Sequence, residues 1–167
     1  MLDDKIHQVV SRSVNVLVDV LRLSSSARLP AQTMSALDPV LTRLVQKLED
    51  GNARTREVAM RGVDSFVTSP YFGPRVVTTY ALRPLDGMQL KGHAWRPLVA
   101  RLRLLRDIVA NFGINNDETG ATTESVMGFP KRYGCFSHSN GDVRDASKEL
   151  ATAVESIVGV HALEPFL

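Results

Sequence analysis

The sequence holds one cysteine, Cys135, so an intramolecular disulfide and any zinc site built on several thiolates are excluded. A reducing compartment is the simple expectation. There is little charge of one sign: 20 Lys and Arg stand against 18 Asp and Glu, a net of +2, which predicts no strong affinity for nucleic acid. No run approaches the roughly 18 apolar residues of a membrane helix. The first ten residues, MLDDKIHQVV, turn acidic and polar too early for a signal peptide. A soluble, cytosolic chain is expected. The serine-hydrolase elbow, the P-loop and the dinucleotide-binding glycine pattern are missing. His7, His93, His138 and His161 share no metal-ligand spacing, and Glu57, Asp64, Asp142 and Asp145 show no convergence. Neither a catalytic centre, nor a metal, nor a cofactor is expected.

What the chain has is apolar residues at helical spacing nearly throughout, and no segment that reads as a strand. Ile6, Val10, Val14, Leu17 and Leu21 form one stripe of a leading helix over about 3–23. Val9, Val16, Val20 and Leu23 widen it, so this helix is expected to be buried on two sides. After the loop SSSARLPAQT, Leu37, Leu41, Leu44 and Leu48 mark a second helix over about 36–49. Its partner runs from Ala53 to about Val67, burying Ala59, Val63, Phe66 and Val67. A short helix is expected over 75–82, then a connection over 83–93. The clearest helix spans about 94–112, with Leu98, Leu102, Leu105, Val109 and Phe112 on one face.

The polar loop 113–123 leads to a helix over 122–137, capped by Thr122 or Thr123 and burying Val126, Phe129, Tyr133 and Phe136. Pro130 lies inside it and predicts a kink or a break. A capping box at Ser139–Asp142, with Ser139 as the cap, is expected to open the last helix, 141–158. That helix should bury Val143, Ala146, Leu150, Ala153 and Ile157.

Two turns resemble each other. Asn52-Ala53-Arg54-Thr55-Arg56-Glu57 aligns with Asn140-Gly141-Asp142-Val143-Arg144-Asp145, an offset of 88 residues, twice 44. That beat lies within the ~40–47 residues of HEAT and armadillo units. The fold expected is an all-α solenoid of HEAT-type helical hairpins, at about 36–67, 75–112 and 122–158, in a single domain over 1–167. Such hairpins bury their apolar faces only by stacking. Arg56 and Arg144 are expected to bridge structurally to the next repeat. The basic run 91–106, with Lys91, Arg96, Arg101, Arg103 and Arg106, reads mainly as solvated helix positions, with local attraction for an acidic partner as the other reading.

The pieces LVQKLEDGNARTREVAMRGVDSFV, RPLDGMQ, VARLRLLRDIVANFG, TTESVMGF and HSNGDVRDASKELA, in this order and spacing, resemble the TOG domain of the 104-kDa centrosomal protein family. The resemblance covers most of the chain, from the first helix through Ser156. It implies a partial, paddle-like HEAT array, a fragment of a longer protein, that binds tubulin at microtubule ends through the turns inside each repeat. Carried to this sequence, those turns are Asp50, Gly51, Asn52, Ala53 and Arg54; Lys91, His93, Trp95 and Arg96; and Ser139, Asn140 and Gly141. The tubulin-binding residues so implied are Asn52, Arg54, Lys91, His93, Trp95, Arg96, Ser139 and Asn140. The resemblance also implies the tip of a cilium or flagellum, a basal body or a centrosome, other ciliary or centriolar partners, and a monomer. A HEAT scaffold for another centriolar or ciliary protein is the alternative. A HEAT-like DNA glycosylase comes third, since Trp95 is the only tryptophan and no catalytic Asp sits in an aromatic cluster.

Overall fold

The computed structural model describes residues 2–23, 31–85 and 95–166. These form seven α-helices: α1 (Leu2–Leu23), α2 (Ala31–Lys47), α3 (Ala53–Val67), α4 (Gly73–Ala81), α5 (Trp95–Phe112), α6 (Thr123–Arg132) and α7 (Gly141–Val158). No strand occurs among the described residues, so the fold is all-α. The chain divides into two compact units, Met1–Gly73 and Pro74–Leu167.

In the first unit α3 packs against both α1 and α2. Val14, Leu17 and Leu21 of α1, Leu41, Leu44 and Val45 of α2, and Val58, Ala59, Val63, Phe66 and Val67 of α3 are buried there. Gly62 lies where α3 comes close to side chains of both α2 and α1. A Cβ at that position would lie 2.9 and 3.0 Å from the Leu44 methyls and 3.4 Å from Val14. The ring of Phe72 meets Phe66 edge-on at 4.9 Å.

Two expectations change in this unit. α2 begins at Ala31, five residues before the expected start, and runs through Pro39. α1 is buried on one side only: Val9 is 64%, Val16 62% and Val20 40% exposed. The hydrophobic period of α1 specifies which residues share a face, and says nothing of how many neighbours are at hand to cover those faces.

In the second unit α5 packs chiefly on α7. Leu98, Leu102, Leu105, Ile108 and Val109 are buried with Val143, Ala146, Leu150 and Val154. Polar clamps complete the packing. Arg101, buried, donates to the Tyr80 carbonyl at the end of α4. The Leu85 amide donates to the Tyr133 hydroxyl at 2.9 Å. Arg106 donates to Asp107 Oδ1 at 2.9 and 2.7 Å and to Glu149 at 2.5 Å, tying α5 to α7. These contacts raise the Arg106 pKa, with the Asp107 hydrogen bond the largest cause.

α6 opens on the Thr122 cap, which accepts from the Ser125 amide, while Ser125 Oγ accepts in return from the Thr122 amide. The helix passes through Pro130 and stops two residues later, not at 137. Pro130 lacks the amide that would reach back four residues. Gly134, in the left-handed region at φ 58°, then turns the chain into a short 3₁₀ segment, Cys135–Ser137. In α7, Ile157 is 48% exposed, contrary to its expected burial, because it lies one turn beyond the last buried residue, Val154.

Candidate functional site

The turns before α3 and α7 are built alike, one in each unit. At the first, Asn52 caps α3 with φ −84° and ψ 120°, and its side-chain oxygen accepts from the Arg54 amide at 2.9 Å. At the second, Asn140 caps α7 with φ −81° and ψ 128°, and accepts from the Asp142 amide at 2.8 Å. Asn suits both places because its amide oxygen reaches an otherwise unsatisfied donor of the first helical turn. The cap of α7 is therefore Asn140, not Ser139, and no Asp142 capping box forms.

Four residues into the helix an arginine folds back over each turn. Arg56 Nη1 donates to the carbonyls of Asp50 at 2.8 Å and Gly51 at 3.1 Å. Arg144 Nη1 donates to those of His138 at 2.6 Å and Ser139 at 3.0 Å. The carbonyls these guanidinium groups hold belong to their own turns, so the expected bridge to a neighbouring repeat is replaced by a lock within one hairpin. The physical reason is reach: from this position the planar fork spans the turn.

The two turns share a fourth bond. The cap residue's own amide donates to a side chain two residues earlier: Asn52 N to Asp50 Oδ1 at 2.9 Å, and Asn140 N to His138 Nδ1 at 3.0 Å. An accepting Nδ1 places the imidazole hydrogen of His138 on Nε2. His138 is half-buried, and its role is structural. Burial pushes the Asp50 carboxyl up, but the Asn52 amide, the Lys47 ammonium at 3.0 Å and the Arg56 charge outweigh it and hold the group below its ordinary value.

The remaining expected site residues fall in different surroundings. Arg54 is exposed, beside the locked turn, and lines an open groove with Ser11, Glu57, Met60, Arg61 and Asp64. Ser139 is exposed. Trp95 and Arg96 open α5, both half-buried, with the Arg96 guanidinium 5.3 Å from the Trp95 ring centroid. Lys91 and His93 lie outside the described residues. Of the basic run, Arg103 is exposed, whereas Arg101 and Arg106 are engaged in the clamps described above.

A larger groove of about 820 Å³ runs along α1 and α3, lined by residues of both charges, among them Asp19, Arg22, Arg61 and Asp64. Cys135 is fully buried. Burial pushes its thiol up to about 11, and a hydrogen bond with Ser147 offsets part of that rise. Among the described residues no group of three or more His, Cys, Asp or Glu is placed to hold a metal. Comparison with protein-family models, with curated proteins and with solved structures finds no match.

Proposed function

We propose that the chain is a non-catalytic binding domain of HEAT-type helical hairpins, of the TOG kind, that holds tubulin at microtubule ends through the turns inside its hairpins. The observation that supports this reading is the turn built twice with the same cap, a side-chain acceptor two residues before it, and the same arginine lock. Four bonds rigidify each turn before any partner arrives, so little ordering entropy is lost on binding. Rigid turns of this kind suit display. Arg54 stands exposed beside the first of them, and Arg96 with Trp95 gives the start of α5 a flat, cationic tip. Such groups offer charge-assisted hydrogen bonds to an acidic surface such as tubulin's. In this reading Asn52, Asn140, Arg56 and Arg144 are the framework of the turns and contribute by holding them in shape. The working locale is that of ciliary tips, basal bodies or centrosomes.

The test is gel filtration of the chain with free tubulin, repeated with Arg54→Glu and Arg96→Glu. Co-elution that either reversal weakens supports the assignment. No co-elution by the unmodified chain at tens of micromolar tubulin overturns it, and would direct attention to a HEAT scaffold for another protein. Binding untouched by both reversals would remove the turns from the interface.

A further inference from the structure

The exposed face of α1 carries a repeat distinct from its buried one. Val14, Leu17 and Leu21 face the core, while Val9, Val16 and Val20 emerge on another side at 64%, 62% and 40% exposure. Their spacing of seven and four is a heptad: Ser13 and Val20 fall at its a positions and Val9 and Val16 at its d positions. In the sequence the same register runs on through Leu2, Ile6 and Leu23. Ser13 adds no unsatisfied donor to this seam, because its hydroxyl donates to the Val9 carbonyl at 2.9 Å. Arg12 and Asp19, both exposed, occupy successive g positions on one flank.

We infer that this face is a self-association surface, on which α1 of a second copy of the chain packs antiparallel. Charge complementarity selects both the occupant and the direction. In an antiparallel pair, a positions lie beside d positions and the g positions of the two helices meet each other. The register that sets Val20 against the second copy's Val9 also sets Ser13 against its Val16. That same register brings Arg12 to its Asp19, and by symmetry Asp19 to its Arg12. Opposite charges at one heptad position are what an antiparallel self-pair requires. In a parallel pair, g would instead meet e, where Val10 and Leu17 stand, and Leu17 is buried within its own unit. The dimer so formed is weak and symmetric, and in it the second side of α1 gains the cover its sequence pattern asks for.

Sedimentation velocity of the full chain, from a few to a few hundred micromolar, tests this. A monomer–dimer equilibrium is expected, abolished by Val16→Glu. Arg12→Asp should weaken it about tenfold at low salt, and Arg12→Asp with Asp19→Arg should restore it. Circular dichroism checks that each variant keeps its helices. Orientation has its own readout. Val9→Cys combined with Val20→Cys should give a disulfide-linked dimer on mild oxidation, and Val9→Cys alone should not, the two sites being about 16 Å apart along the helix. A monomer at every concentration, a dimer indifferent to Val16→Glu and to both charge variants, or cross-linking through Val9→Cys alone would each overturn the inference.

Discussion

Arg56 and Arg144 each place one terminal nitrogen on two carbonyls, and that geometry belongs to the guanidinium. Removing either group leaves two turn carbonyls to water. Arg56→Ala should cost about 1–2 kcal/mol in urea unfolding, and Arg56→Lys should recover only part of it, since an ammonium on a flexible stem holds the pair less firmly. Cys135 makes a second residue-scale prediction. Its folded pKa is raised from about 9 to about 11, so the neutral thiol is the form the fold prefers. This contribution to stability is whole below about pH 9 and is lost as pH rises through about 11. Stability measured between those values should fall by roughly 2 kcal/mol more in the native chain than in Cys135→Ala. At neutral pH the thiol should resist aromatic disulfide reagents until the chain unfolds.

At the scale of elements, Gly62 sets how close α3 and α2 can come. Gly62→Val places branched carbons where Leu44 and Val14 already lie, and should destabilise by about 2 kcal/mol in denaturant titrations, despite the better helix propensity of valine over glycine. Helices with strong punctuation were legible from sequence. α3, α5 and α7 keep their expected bounds within a residue, because each carries a regular apolar stripe bounded by turn or loop residues, although the α7 cap is Asn140 and not the expected Ser139. The expected start of α2 falls five residues late because its first turn lies in a stretch of small and polar residues that composition alone assigns to a loop. α6 was read long because aromatic residues continue at helical spacing past Pro130, while the left-handed Gly134 ends that course. The arginine lock was half legible. Asn and Arg recur four residues apart in both turns, but Asp50 and His138 fill one role with different chemistry, and no pattern of identical letters reveals that.

On the scale of the whole molecule, a net charge of +2 lets local groups decide recognition. On the proposed function, binding to an acidic partner through Arg54 and Arg96 should therefore weaken with salt only as far as a few exposed pairs allow. Between 50 and 200 mM salt, co-elution with tubulin should decline gradually, and each Glu reversal should flatten that dependence. A steep loss would point instead to a diffuse basic surface, for which Arg101 and Arg106 are poorly placed, since one is buried and the other engaged by Asp107 and Glu149. Tubulin itself was suggested by family resemblance, and nothing in composition or spacing singles it out.

Four bonds hold each copy of the duplicated turn, and none of them uses the side chain at the second helical position, which is Arg54 in one copy and Asp142 in the other. One frame thus presents opposite charges in its two occurrences. Because that side chain is excused from holding the fold, it is free to drift or to be grafted. The turn works as a mount on which a binding group can be exchanged without rebuilding what carries it.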